Sequence, residues 1–305
     1  MENLPPDFWV TSLQFTPKTY QTNYPAIDPT NPQNSLAGKV VIINGASRGI
    51  GAMGITPAVT KAGPKGVVLV ASGPEKLSAV EKEVHKISPH VKTLAVPTDI
   101  RNPESVADLF RKVKETFGHA DILINNAGVF KGKPVIHEND VEEWWDNFEV
   151  NTKGAFLVMK QFISLLPSPD YPAVIANLVT SVTYKTLPFM SGYILSKLAS
   201  QQLTANIAAG YPNITAINVH PGLYDTDILN EAFRRFNLDD PSLIGGTLVW
   251  LGADPERSKF LSGRTIVANW DVDGLVARKE EIVSKDLLVL DWKGTFGKEQ
   301  FEKQE

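Results

Sequence analysis

The chain has 305 residues, 43% of them hydrophobic and 21% charged, with a formal net charge of −4. That length suits a single α/β unit with a large core, and a mildly acidic balance without a Lys/Arg cluster argues against a nucleic-acid partner. Cysteine is absent, which excludes disulfides, thiolate nucleophiles and cysteine-bound metals and fits a cytoplasmic setting, while no apolar run approaches the roughly 18–20 residues of a membrane helix.

Residues 1–36 are rich in Pro, Asn, Thr and Tyr and form an expected extended arm. The opening stretch MENLPPDFWVTSLQF lacks a basic segment followed by an apolar one, so secretion is not expected. Phe8, Trp9, Phe15, Tyr20 and Tyr24 are too many aromatics for a freely solvated tail. The arm is therefore expected to pack on the body or on another subunit, with a partly disordered extension as the alternative.

From Lys39 short apolar runs alternate with longer amphipathic stretches. Strands are expected at KVVIIN (39–44), GVVLVA (66–71), KTLAVP (92–97), DILIN (121–125), AVIANLV (173–179), TAINVH (215–220) and RTIVAN (264–269). PEKLSAVEKEVHKI starts a helix with Pro74, and PESVADLFRKVKETF repeats the design from Pro103 until Gly118 ends it. Strands apolar on both faces belong in a parallel sheet covered by helices. The fold class is α/β, a doubly wound Rossmann-type sheet occupying 37–270, with a C-terminal extension over 271–305.

The first strand runs into NGASRGIG. A turn of Gly45, Ser47, Arg48, Gly49, Ile50 and Gly51 leading into a helix lets backbone N–H groups approach a pyrophosphate. The end of the second strand reads VVLVASGPEK. Ala71 and Ser72 supply no carboxylate to repel a 2′-phosphate, and Arg48 and Ser47 are placed to bind one, so NADP is the expected cofactor. Asp99 is expected at the adenine edge or as a helix cap. Farther on, Tyr193 and Lys197 stand four residues apart in SGYILSKLASQQL, on one helix face. A fixed ammonium beside a phenol lowers the phenol's pKa toward a useful acid/base range.

Taken in order, NGASRGIG, Asn125-Asn126-Ala127-Gly128, Asn151 in FEVNTKGAF, Tyr193, Lys197 and PGLYDT (221–226) resemble the short-chain dehydrogenase/reductase family from about Lys39 to Arg264. The turn departs from the family pattern in Asn44, where Thr is usual, and the closing SGRTIVANWDVDGL is similar to fungal members. The resemblance implies a hydride transfer to or from nicotinamide, with Tyr193 handling the proton of a carbonyl or alcohol oxygen. It further implies that Lys197 lowers the tyrosine pKa and holds the nicotinamide ribose, and that Asn151 supports a water relay; helix capping is the plainer role for Asn151. Asn126, Ala127 and Gly128 would pass beside the cofactor, and Pro221, Gly222 and Thr226 would contact its nicotinamide side. The family's serine stands thirteen residues before the tyrosine, which here is Thr180, with Ser181 next. Strand alternation allows at most one of them to point inward. Register favours Thr180 and chemical analogy favours Ser181.

The five histidines show no metal spacing, so no metal is expected and each reads as a surface or packing residue. HENDVEEWWDNF reads as a helix start with an aromatic buried side, on a helix that relatives use for oligomer contacts; a homo-oligomer, dimer or tetramer, is expected. In this fold Phe130, Tyr184, Phe189, Met190, Leu223, Tyr224 and Phe233 would border a pocket for an apolar, bulky small-molecule substrate. EAFRRFNL (231–238) would be its lid. A non-redox dehydratase, isomerase or cyclase on the same scaffold and a cofactor-binding protein without turnover are the competing readings.

Overall fold

The computed structural model describes residues 4–133, 135–184, 187 and 189–301. Pro134, Lys185, Thr186 and Pro188, in two of the segments expected at the pocket, lie outside the described residues, as do residues 1–3 and 302–305 of the two terminal segments. Seven parallel strands form one sheet: β1 (Val40–Asn44), β2 (Gly66–Ala71), β3 (Lys92–Pro97), β4 (Ile122–Asn125), β5 (Ala173–Leu178), β6 (Ile214–His220) and β7 (Thr265–Val267). Their order is β3-β2-β1-β4-β5-β6-β7. Direction of winding reverses between β1 and β4, and a doubly wound sheet opens a crevice at the carboxyl ends of its strands at such a point.

Alternation within the strands supplies two cores. Val41, Ile43, Val67 and Leu69 face one layer, which holds helices α2 (Thr56–Lys61), α3 (Pro74–Ile87) and α8 (Pro241–Ala253). Val40, Ile42, Val68 and Val70 face the other, built on α4 (Pro103–Phe117), α6 (Ala155–Ser164) and part of α7 (Ser191–Gly210). Helix ends follow local chemistry. Pro74 and Pro103 occupy first-turn positions, where a missing N–H costs nothing, and Asn102 Oδ1 accepts from Glu104 N at 2.8 Å. Gly118, at φ +86°, stops α4.

Between α5 (Val141–Phe148) and α6 the chain makes a π-helical turn, Glu149–Gly154. The expected buried aromatic side of α5 is corrected: Trp145 is 51% exposed. Trp144, Trp145 and Phe148 instead stack on one another, with centroids 5.0–5.9 Å apart, and Asn147 is the buried member of the helix.

The arm packs on the body of its own chain. A short helix, α1 (Phe8–Thr11), precedes an irregular run in which Thr19 bridges Trp270, Trp270 Nε1 donates to Leu13 O at 2.7 Å and Tyr24 OH donates to Trp270 O at 3.3 Å. Arg278 lies over the Phe15 ring, 3.6 Å from its centroid. Buried Trp9, Tyr24, Ile27 and Leu36 make the arm part of the core.

Candidate active site

A cavity of about 460 Å³ opens at the carboxyl ends of the strands, across the point where the winding reverses. At one end lies the glycine turn, where Gly45, Ser47, Arg48, Gly49 and Ile50 line the wall. Gly45 has φ +88°, and a Cβ there would stand 2.6 Å from Ala127 N, so the position admits only glycine. Asn126 Nδ2 donates to Gly45 O at 2.8 Å and ties the turn to the end of β4. Gly51 does not line the cavity; its missing Cβ makes room for Gly45 O, 2.0 Å from where that atom would be. Ser72, Asp99, Asn126, Ala127, Gly128, Pro221, Gly222 and Thr226 all join the lining.

Asn44 lines the cavity and belongs to a network that strand-by-strand reading missed. Asn44, Asn125, Asn177 and Asn218 occupy equivalent positions near the ends of four adjacent strands and stand in register. Their amides form a ladder: Asn44 Nδ2 donates to Asn125 Oδ1 (2.7 Å), Asn125 Nδ2 to Asn177 Oδ1 (2.8 Å) and Asn177 Nδ2 to Asn218 Oδ1 (3.1 Å). Asn218 Nδ2 then donates to Gln201 O on α7 at 3.0 Å. Such a chain places buried polar groups at low cost because each amide is bonded to the next, with Asn44 Oδ1 at its head left without a partner among the described residues. The visible signal was the Asn closing two of the apolar runs, IIN and LIN, and standing near the end of two others, AVIANLV and TAINVH. Asn44 therefore extends an amide ladder where Thr is the usual residue.

Tyr193 and Lys197 enter from the first two turns of α7, and both line the cavity. Lys197 Nζ donates to Leu178 O at 2.8 Å. Burial pushes the Lys197 ammonium down to about 8 and the Tyr193 phenol up to about 12. The expected lowering of the tyrosine by its neighbour is thus corrected: in the protein by itself desolvation is the cause that moves the phenol.

Thr180 and Ser181 both line the cavity, against the expectation that only one would. Strand alternation ceases to apply because β5 ends at Leu178 and a 3₁₀ turn begins at Ser181. Thr180 Oγ1 accepts from Val182 N at 3.4 Å, whereas Ser181 Oγ has no hydrogen-bond partner among the described residues.

Asn151 does not line the cavity and is no helix cap. It sits in the π-helical turn, where its Oδ1 accepts from Val129 N (2.9 Å) and its Nδ2 donates to Val129 O (2.9 Å) and Ser196 Oγ (3.0 Å). One amide thus ties the loop after β4 to α7. A Cβ on Gly128 would lie 3.2 Å from both Asn151 Oδ1 and Lys197 Nζ, so the two side chains converge beside that glycine.

Charged groups ring the mouth. Arg48 pairs with Asp227 at 3.0 Å, with both side chains more than half exposed. Asp99 is held by Arg101, whose guanidinium keeps that carboxyl below its usual range and also reaches Asp146 at 3.1 Å. Asp99 is not the cap of α4, a role that Asn102 fills. His220 is corrected from a surface or packing residue to a cavity-lining one. Burial drives it down to about 4, and its Nδ1 has no partner among the described residues.

On the substrate side Phe130, Met190, Leu223, Tyr224 and Phe233 line the cavity as expected, but Tyr184 and Phe189 do not. Gln201 Nε2 donates to Tyr184 OH at 2.9 Å, outside the cavity. Trp9, from the arm, lines it without having been foreseen there.

A nicotinamide nucleotide fits this donor set. The glycine turn leaves the space that side chains would fill, the first turn of the helix after β1 has N–H groups without helical acceptors, and the buried Asn44 Oδ1 and His220 Nδ1 lack partners among the described residues. No helix among the described residues is long and apolar enough to cross a membrane.

The short chain dehydrogenase family model matches residues 39–236, from the start of β1 to Phe236. The chain is 34% identical over 281 residues to the short chain dehydrogenase mpl6 of Monascus purpureus, covering 89% of this chain and 94% of that one. With the short chain dehydrogenase pigC of Monascus ruber it shares 33% identity over 299 residues, 93% of this chain and 94% of the other. A solved dehydrogenase/reductase from Sinorhizobium meliloti superposes with a TM-score of 0.68 at 29% identity, covering 77% of this chain and 95% of that one. A parallel sheet with the glycine turn after β1, a Tyr and a Lys on one face of α7, and relatives matched along nearly their full length converge on one assignment: the chain is a member of the short-chain dehydrogenase/reductase family, whose enzymes use nicotinamide cofactors.

Proposed function

We propose that the protein is an NADP-dependent oxidoreductase that interconverts a bulky apolar ketone and the matching secondary alcohol, working as a reductase near neutral pH. The observation that carries this reading is one cavity holding Tyr193, Lys197 and Ser181 between a glycine turn and an aromatic wall. When bound, the nucleotide supplies or accepts the hydride. Backbone N–H groups from Ser47 to Ile50 hold its pyrophosphate, Asn126 to Gly128 flank it, and Pro221, Gly222 and Thr226 border its nicotinamide side.

Tyr193 is the proton donor to the carbonyl oxygen. A phenol held up near 12 is fully protonated at neutral pH, which suits the reductive direction. Lys197, still mostly charged at pH 7 with its pKa near 8, faces the phenolate that remains after transfer and keeps two N–H groups beyond its bond to Leu178 O for the ribose hydroxyls. Ser181, with an uncommitted hydroxyl, donates to the substrate oxygen, and Thr180 is the lesser contributor. Asn151 acts as a positioning residue that holds the Val129 backbone and α7 in register and faces Lys197 beside Gly128.

The choice of NADP rests on Ala71 and Ser72, which put no carboxylate at the end of β2, and on Arg48. An exposed ion pair such as Arg48–Asp227 is worth at most about 1 kcal/mol, so Arg48 can exchange Asp227 for a phosphate, a stronger bidentate partner. Exposed Val141, Trp145, Phe156 and Leu195 on α5, α6 and α7 support a homo-oligomer.

The deciding experiment follows NADPH absorbance with a panel of bulky cyclic ketones. Turnover of at least one is expected. Tight NADPH binding with no turnover across a wide panel would overturn the redox reading in favour of a lyase or isomerase using the same tyrosine.

A further inference from the structure

The substrate end of the cavity is closed by a residue from outside the region that the family model matches. Trp9 is 7% exposed and lines the cavity. Its ring lies 5.4 Å from that of Phe233 and 6.1 Å from that of Phe236, both in the expected lid. Val182, Met190 and Ile194 complete the buried cluster, and Phe130 and Tyr193 pack against it. The same ring therefore belongs to the cluster that contacts the proposed proton donor.

Arm and lid are also tied by hydrogen bonds, one of them between backbones. Asn237 N donates to Pro6 O at 2.8 Å, and Arg235 Nη2 donates to Leu4 O at 3.0 Å. Behind them the arm is anchored a second time, by Gln21 Nε2 to Asp239 Oδ1 at 3.2 Å and by Gln21 O accepting from Asp240 N at 2.8 Å. Asp239 in turn accepts from Leu223 N at 2.8 Å, in the loop that borders the cavity. Arm, lid and that loop pack together over the substrate end, and the glycine turn meets the loop farther on, through Arg48 and Asp227 at 3.0 Å.

We infer that the N-terminal arm is part of the substrate-binding site and that Trp9 is a specificity-determining residue, the roof that sets how large a ketone the cavity admits. The inference rests on the ketone-reductase reading given above. An indole packed in a three-ring cluster with Phe233 and Phe236, which are themselves 6.4 Å apart, presents an apolar wall with little freedom to retreat, so ligand length is read directly as steric fit. Removing the indole leaves a void continuous with the cavity, because that ring lines it.

The test uses the full chain and three variants, Trp9→Ala, Trp9→Leu and Trp9→Phe, with one-, two- and three-ring ketones: cyclohexanone, 2-tetralone and a hydrogenated phenanthrenone. Ketone binding to protein loaded with oxidised nucleotide is measured by calorimetry, NADPH binding and thermal unfolding are measured separately, and turnover is measured with NADPH. The three-ring to one-ring affinity ratio is expected to rise by about tenfold or more in Trp9→Ala, by less in Trp9→Leu, and to stay within about threefold of the parent in Trp9→Phe, with NADPH affinity unchanged throughout. An unchanged ratio in folded Trp9→Ala or Trp9→Leu protein overturns the inference, as does a loss of NADPH binding equal to that of ketone. Failure of the two readings is separable. Ketone binding whose size preference depends on Trp9, without turnover, removes the redox reading and keeps the roof; turnover with a ratio indifferent to Trp9 does the reverse; no ketone binding by the parent protein removes both.

Discussion

The two ends of the cavity are built by different means. At the turn, Gly45, Gly49, Asn126 and Gly128 come from the ends of two hydrogen-bonded strands, and their placement is a matter of backbone: a positive φ, an absent Cβ, an amide bonded to a carbonyl. At the far end, Trp9, Phe130, Met190 and Phe233 come from four segments, none of them a strand or a long helix, and they are held by apolar side-chain packing. The first kind of site tolerates almost no substitution, since added atoms have nowhere to go. The second can change its shape one side chain at a time without disturbing the sheet. One fold can thus keep a fixed cofactor end while its substrate end varies.

Substitutions can break or sharpen that contrast. The largest expected effect is at the junction of the two ends: Tyr193→Phe lowers kcat by roughly 10²–10⁴-fold while the nucleotide dissociation constant stays within about twofold. Activity near that of the parent would place the proton donor elsewhere. Next is the asparagine ladder. Asn177→Leu strands the Asn125 amide and Asn218 Oδ1 beneath both ends, and is expected to cost about 2–5 kcal/mol in denaturant unfolding and to weaken nucleotide and ketone together. A loss confined to one end would show that the ladder does not support both.

A pH profile separates the ends by charge. Lys197 is charged below its value of about 8 and neutral above it. If the ammonium is the working form, kcat/KM for the nucleotide, which reports groups on the free enzyme, falls about tenfold per unit as pH rises past 8. Lys197→Arg should remove that limb, whatever it does to the maximum. The smallest effect is expected at the exposed mouth. Arg48→Ala weakens NADPH by about tenfold and leaves NADH unchanged, as competitive binding would read. A parent protein that prefers NADH would refute the role given to Arg48 and Ala71.

Much of the scaffold was legible beforehand because its signals are local. Pro74 and Pro103 begin their helices, Gly118 ends one, and apolar runs mark all seven strands. The turn at 45–51 needs only its glycines and the strand before it. By contrast, each ladder asparagine reads along the chain as a polar residue near a strand end, and only the register of four strands turns them into a network. Asp99 reads along the chain as an adenine contact or a helix cap, and only the fold sets Arg101 against it, with Asp146 on the same guanidinium.

What the sequence by itself determined was periodicity, punctuation and the spacing of Tyr193 and Lys197, since these depend on the geometry of a single helix or strand. Tertiary structure decided the rest. It turned Thr180 and Ser181 both toward the cavity by ending β5 at Leu178, raised the Tyr193 phenol by burying it, and brought Trp9 over the substrate end. Each of these is set by groups far apart in the chain, through desolvation and packing that no local pattern encodes.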